Sequence, residues 1–451
     1  MSPPHLTPPS LYEELIRRAA EEAARYRPRP PRASASVVPW RRSRGRLEVY
    51  WVQRSDELRF MGGWHAFPGG GLSRQDPRVP LSGRPAGLAE VPPKAGMPEP
   101  LQEDLEANEV PGIVACALRE LFEECGILPL AGEEGATLSS QRLDRARHQL
   151  LEEAVPFADL LASWQSLADA GRLVYAGRWI TPPLASLRFD NRFFLLEWSE
   201  EETFQPTIWP GELSSGEWIE PAAALAAWQR GDVLTSPPIA HLLRVLAEEG
   251  PERGLPRLHD PSEANLGPFR KVEFRPGVIL IPLRTPTLPP ATHTNTFLLG
   301  LREAVLVDPG SPLPEEIEAL RRCLVDAREI HGMEVKAIWL THHHPDHVGG
   351  LEAVRREFQL PVYAHRAAAD RLAAAGIHVD GFLEEGDRVV LEGVPGERSF
   401  PLRVLHTPGH ARGHLCFYDE TYGSLIAGDL VAGFGTIVID PPEGDMDAYL
   451  D

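Results

Sequence analysis

Residues 117–126 read ALRELFEECG, which places Glu120, Glu123 and Glu124 at i, i+3 and i+4. In a helix those three carboxylates share one face, a few Å apart. Like charges at that spacing repel, and a bound cation relieves the repulsion. A hard, oxygen-seeking ion such as Mg²⁺ or Mn²⁺ suits such a cluster, commonly alongside substrate phosphates. Pro111 is placed to open the helix in its first turn and Gly126 to close it. A solvated acidic face is the plainer use of a Glu-rich helix, so the residues upstream decide between the two.

Residues 65–71 read HAFPGGG, a glycine turn after an apolar segment. Five residues separate Gly70 from Asp76, and residues 119–127 read RELFEECGI. Together these resemble the Nudix box, G-x5-E-x7-R-E-U-x-E-E-x-G-U, where U is aliphatic or bulky. Asp76 stands where the box has Glu. Where the box has seven residues, this chain has everything from Pro77 to Leu118. The stretch from about 77 to 110 is rich in Pro, Gly and Glu and reads as a looped insertion of the kind some Nudix subfamilies carry. The resemblance implies an α/β/α sandwich with Mg²⁺ or Mn²⁺ on Glu120, Glu123 and Glu124. It also implies that Arg119 orients a glutamate, and that the substrate is a nucleoside diphosphate joined to another group.

A second pattern overlaps the first. Arg54-Ser55-x3-Arg59-x3-Gly63-x3-Phe67-Pro68-Gly69-Gly70 is similar to the signature of Nudix enzymes that cleave coenzyme A, although Tyr50-Trp51-Val52 replaces its leading Leu-Leu-Thr. Arg54 and Arg59 suit bidentate contacts to phosphate, and the resemblance puts Gly69 and Gly70 with them on the substrate side. Surface arginines flanking a hairpin are the alternative for that pair.

A length of 451 residues suits two or three domains with separate cores. A 43% hydrophobic and 24% charged composition fits a globular protein. The net charge of −20 argues against broad electrostatic binding of nucleic acid. The four cysteines (Cys116, Cys125, Cys323, Cys416) form no C-x-x-C pair, so neither a disulfide framework nor a cysteine zinc knuckle is expected, in keeping with a reducing cytoplasm. No signal-like or membrane-spanning run is read.

Residues 1–34 are expected to hold a proline-rich tail and an amphipathic helix at 11–26, packed on the first domain. The first domain is expected over 35–250. Its strands are placed near 37–38, 47–52, 172–180 and 191–198, and its helices near 141–153, 157–170, 221–230 and 238–249. Glu212 and Glu217 are further carboxylates in reach of a metal, with a surface role expected for each. Residues 251–270 are polar and rich in Pro and Gly, which marks a linker.

From 271 onward the histidines concentrate. The strand-like VKAIWL of 335–340 ends in THHHPDHVGG at 341–350. Imidazoles and a carboxylate on a loop after a strand suit a borderline metal such as zinc. His410 in a Thr-Pro-Gly-His run and Asp429 after the apolar 424–427 follow in order. The H-x-H-x-D-H run with these two resembles the metallo-β-lactamase superfamily, and TPGHARGH with the 427–446 stretch is similar to its glyoxalase II-like and β-lactamase-like 2 branches. The resemblance implies an αββα sandwich over 271–451. It puts His342, His344 and His410 on one zinc, Asp346 and His347 on a second, and Asp429 between them. Asp308 is expected to brace the site, His343 to have no role, and His406 and His414 to be structural. The family pattern continues with another strand and a last histidine, whereas no histidine follows His414. The expectation is a domain lacking its last elements, with up to two zincs and the second site one ligand short.

The function expected is that of a two-domain hydrolase, with the first half acting on CoA or acyl-CoA and the second on a thioester or similar bond. The competing reading makes the second half an endoribonuclease or a non-catalytic binding module. RNA is the less favoured partner, no membrane is expected, and the oligomeric state is open.

Overall fold

The computed structural model describes residues 30–58, 61–88, 110–131, 138–181, 187–202, 204–260, 272–288, 291–393, 398–432 and 436–451. The helix expected at 11–26, Arg59, most of the insertion and the later part of the expected linker lie outside them. The chain divides into a unit at Arg29–Ala264 and another containing Asn265–Asp451.

In the first unit, β1 (Arg32–Ser43) and β2 (Arg46–Arg54) form a hairpin. Its turn residues Arg44 and Gly45 both take positive φ, the conformation that matches the twist of paired strands. β3 (His65–Ala66) pairs with β2, and β4 (Gly69–Gly71) with β1. β5 (Leu81–Ser82), β6 (Leu130–Ala131) and β7 (Leu167–Asp169) make a small separate sheet. β8 (Leu173–Ile180), β9 (Phe189–Glu197) and β10 (Leu213–Ile219) complete the main sheet in the order β10-β2-β1-β9-β8. It is mixed, since β1 runs parallel to β9 and antiparallel to β2.

The period-2 alternation of a strand divides the core. Ala35 and Val37 face the helix Val110–Cys125, which buries Ile113, Val114, Ala117, Leu118, Leu121 and Phe122. Val38 and Trp40 face Leu242, Leu243 and Leu246 of the helix Pro237–Arg253 on the other side. Each of the Val, Leu, Ile and Phe side chains among them contributes roughly 1.5–3 kcal/mol by leaving water. The result is an α/β/α sandwich with the glutamate helix fixed flat against β1.

Two expectations need correcting. The stretch 157–170 is not one helix: Phe157–Ser163 is helical, Gln165 turns to φ 53°, and the chain continues as β7. A helix does not run through a residue in the left-handed region. Residues 251–259, read as linker, are instead folded with the first unit. Gly250 (φ 79°, ψ 177°) and Pro251 only kink the helix Pro237–Arg253, and Leu255–His259 forms a further short helix. Leu258 is buried in the first unit's core, and the His259 ring hydrogen-bonds the Tyr175 carbonyl at 2.8 Å. The glycine and proline that read as linker serve as a bend. Limited proteolysis is therefore expected to cut first within 261–271 and release two resistant pieces. Mass spectrometry of the fragments checks this, and a first cut inside 237–259 would contradict it.

In the second unit, seven strands pair in chain order: β11 (Val272–Arg275), β12 (Val278–Arg284), β13 (His293–Gly300), β14 (Glu303–Val307), β15 (Glu334–Trp339), β16 (Val362–Ala364) and β17 (Gly381–Phe382). A second sheet holds β18 (Arg388–Leu391), β19 (Phe400–His406), β20 (Leu415–Asp419) and β21 (Ser424–Ile426). Alternation in β14 again decides the layers. Ala304 and Leu306 pack with Leu320 and Leu324 of the helix Pro314–His331, while Val305 and Val307 pack with Phe400, Leu402, Val404 and Phe417 of the second sheet. β14, β15 and β16 are parallel and covered on both faces, which explains their near-continuous apolar runs. The histidine loop leaves the C-terminal end of β15. No described helix is long and apolar enough to cross a membrane.

Candidate metal centres

In the first unit the helix Val110–Cys125 starts with Pro111 near its N-terminus and ends at Gly126, whose φ is 70° and whose N–H donates to Phe122 O at 2.9 Å. Glu120, Glu123 and Glu124 sit on its side toward the Gly69–Gly71 strand. Glu124 accepts the Gly69 N–H at 2.9 Å. Gly70 passes over the Glu120 carboxylate so closely that a Cβ there would lie 2.4 Å from an oxygen. Any side chain there would have to push the Glu120 carboxylate aside.

Arg119 binds Asp76 in two-pronged fashion, Nε to Oδ1 at 2.7 Å and Nη2 to Oδ2 at 3.0 Å. Its Nη1 also lies 2.9 Å from both Glu120 and Glu123, and Nη2 donates to Gly71 O at 3.0 Å. Asp76, buried and further held by the Ser73 N–H at 2.7 Å, thus fixes the arginine from beyond the insertion. The sequence marked Asp76 as a departure from the box without showing that it grips Arg119.

Burial pushes Glu120 up to about 7, with Arg119 opposing and Glu123 adding to the rise. Burial and the neighbouring Glu120 push Glu124 up to about 8, with Gly69 N–H and Arg54 pulling the other way. Burial also raises Glu123, against the pull of Arg119. Glu212 is exposed, and its charge adds to the rise of both Glu123 and Glu124. Glu217 instead accepts from Trp51 Nε1 at 3.1 Å. The three glutamates do not close to within 4.8 Å of one another as a trio among the described residues. Their all-oxygen chemistry and mutual repulsion nonetheless fit a hard divalent cation.

The second unit brings its candidate ligands together more tightly. Two trios have ligand atoms within 4.8 Å of one another: His342, His344 and His410; and His342, His347 and Asp429. Asp429 stands between them, Oδ1 at 3.2 Å from His347 Nε2 and Oδ2 at 3.4 Å from His410 Nε2. His410 Nε2 lies 2.8 Å from His344 Nδ1. Asp346, expected beside His347, is buried outside both trios and accepts from Thr287 Oγ1 at 2.7 Å.

Three of the four imidazoles are held at the far nitrogen. His347 Nδ1 is 2.8 Å from Asp308 Oδ2, His410 Nδ1 donates to Val438 O at 2.6 Å, and His342 Nδ1 is 2.9 Å from Thr341 Oγ1. Asp308 also accepts the Thr341 N–H at 2.8 Å and hydroxyl at 2.6 Å, which locks the start of the loop. Such outer partners fix ring orientation and basicity. His342 Nε2 is buried with no hydrogen-bond partner in the protein, as a nitrogen reserved for a metal would be. Burial drives His342 and His344 well below the ordinary histidine value. In His347 the same burial is overcome by Asp429 and Asp308, and its value rises well above. Five nitrogen and oxygen donors so arranged fit zinc. Of the remaining histidines, His406 stacks on His365 with ring centroids 3.9 Å apart, away from both trios.

Residues 22–246 match the NUDT19 Nudix domain family, and residues 289–451 match the metallo-β-lactamase superfamily. The chain joins a Nudix domain to a metallo-β-lactamase domain. Both are hydrolase families. A hydroxyacylglutathione hydrolase of Bdellovibrio bacteriovorus is 33% identical over 134 residues, 30% of this chain and 46% of that one. An atrochrysone carboxyl ACP thioesterase of Aspergillus chevalieri is 31% identical over 159 residues, 35% of this chain and 44% of its own. The solved structure of a NUDIX hydrolase from Alicyclobacillus acidocaldarius covers 52% of this chain and 96% of itself at 24% identity, with a TM-score of 0.41. The chain spans about half the length of the curated relatives it matches. The Nudix domain thus carries the carboxylate cluster, and the metallo-β-lactamase domain carries the histidine trios.

Proposed function

We propose that this chain hydrolyses two bonds of CoA-type substrates, the diphosphate in the Nudix domain and an acyl thioester in the metallo-β-lactamase domain. The observation that carries the reading is the pair of separate donor sets, one of carboxylates and one rich in imidazole, each in a domain of a hydrolase family.

In the Nudix domain Glu120, Glu123 and Glu124 would hold Mg²⁺ or Mn²⁺. A cation there neutralises diphosphate charge and lowers the pKa of an attacking water. Asp76 and Arg119 keep the carboxylates in place, and Gly69 and Gly70 let the backbone pass close to them. Arg54 stands near enough to Glu124 to lower its pKa, which suits a group that also meets phosphate. Arg59 is proposed to act with it.

In the other domain His342, His344, His347, His410 and Asp429 would hold up to two zincs, with Asp346 a further ligand on rearrangement. Zinc there polarises a carbonyl and supplies an activated water. The thioester is favoured by the relative named as an ACP thioesterase. The net charge of −20 weighs against RNA as the substrate.

The test is incubation of the purified chain with an acyl-CoA. With Mg²⁺, chromatography is expected to resolve a phosphopantetheine-type product; with zinc, a thiol reagent is expected to detect free CoA. Cleavage of ADP-ribose or dinucleotides but not of CoA would discard the diphosphate substrate. Absence of thiol release from acyl-CoA and acylglutathione alike would discard the thioester.

A further inference from the structure

We infer that His414 is a positioning residue for Asp429, acting through a directed hydrogen-bond chain from the Asp429 N–H to the Ala427 carbonyl. The inference rests on the reading of Asp429 as a metal ligand. His414 is fully buried, outside both ligand trios, in the loop that also carries His410.

The Asp429 N–H donates to His414 Nε2 at 3.1 Å. A backbone N–H is always a donor, so Nε2 must accept and the ring proton sits on Nδ1. Nδ1 therefore donates to Thr407 Oγ1, 2.8 Å away. With that lone pair occupied, the Thr407 hydroxyl is free to donate to Cys416 Sγ at 3.3 Å. The Cys416 thiol in turn donates to Ala427 O at 3.5 Å. A fixed backbone donor at one end and a fixed acceptor at the other leave one direction for every proton in between. The two ends flank Gly428, so the chain clamps that single residue.

Gly428 confirms how tight the clamp is. Its φ is +49°, and a Cβ there would lie 2.7 Å from His414 Nε2 and 2.9 Å from the Thr341 side chain. The imidazole edge thus presses on the turn that aims Asp429 at His347 and His410. Outer groups that orient a metal ligand typically change metal affinity by about 10–100-fold when removed.

The experiment is a calorimetric zinc titration of the whole chain after chelator treatment. His414→Phe keeps a ring but removes the acceptor, and is expected to weaken the site containing His347 and Asp429 by about tenfold or more. The His342, His344 and His410 site, which keeps three histidines of its own, should lose less affinity. His414→Gln places an amide oxygen where Nε2 stood and should restore most of the loss. Thr407→Val removes the acceptor for Nδ1 without touching the histidine. It should copy His414→Phe, while Thr407→Ser should not. Thermal unfolding of the zinc-free variants checks that each is folded, and Thr407→Val carries the test if His414→Phe is not. Wild-type titrations for both His414→Phe and Thr407→Val would overturn the inference. Asp429→Asn is the separate control: if it too binds zinc as wild type, the ligand reading itself fails.

Discussion

Glu123→Gln is expected to lower Mg²⁺-dependent diphosphate cleavage at least about 100-fold, the scale of losing metal-assisted activation of water. The substitution keeps shape and removes one charge. At about 4 Å and an effective dielectric near 20, one carboxylate charge facing a divalent cation is worth roughly 8 kcal/mol before competing water is counted. Arg119 worsens the loss. Its Nη1 lies 2.9 Å from both Glu120 and Glu123, so removing one carboxylate lets the guanidinium hold the other more strongly. Glu123 lies at the edge of the site, with the apolar face of its helix turned to the core, so the fold should tolerate the change. Rates measured across a Mg²⁺ series separate the causes: partial recovery at high Mg²⁺ points to lost affinity, and a flat response to lost activation. An unchanged rate would remove the glutamate cluster from the reaction.

What could be read in the Nudix sequence was the local part. The i, i+3, i+4 glutamates, Pro111 and Gly126 define a helix and its face without any partner, and the helix stands at Val110–Cys125. Asp76 was harder. It lies beyond an insertion, and no local spacing links it to Arg119, so their two-pronged contact is a product of the fold. The electrostatic influence of Glu212 on Glu123 and Glu124 likewise has no local signature in the sequence. At 251–259 composition misled, because Gly and Pro serve a helical bend as well as a linker.

In the metallo-β-lactamase domain the ligands follow strand ends, and strand ends are legible from apolar runs. The strand ends alone did not group His342, His344, His347, His410 and Asp429; the resemblance to the superfamily implied that grouping, and two trios form from them. The position of Asp346 was not legible. Neighbouring residues on a short helix point in different directions, and here His347 turns to Asp308 and Asp429 while Asp346 turns to Thr287. The chain through His414, Thr407 and Cys416 was equally hidden. It joins β20, the loop before it and the turn after β21, and no sequence spacing links its members.

Asp429→Asn is expected to reduce thioester hydrolysis by about three orders of magnitude, because one carboxylate serves both trios. Its two oxygens face His347 at 3.2 Å and His410 at 3.4 Å. Asparagine fills the same space but presents a neutral oxygen and an NH₂. The NH₂ cannot coordinate a cation, and it meets whichever histidine nitrogen the carboxylate faced. The trio of His342, His344 and His410 keeps three neutral donors, enough for one tetrahedral zinc with water as fourth ligand. The other trio keeps only His347 and the shared His342. Zinc content after dialysis should therefore fall toward one per chain as the rate falls. A variant that retains two zincs and full turnover would show that the carboxylate is dispensable, and that the second cation is held by residues other than the His342, His347 and Asp429 trio.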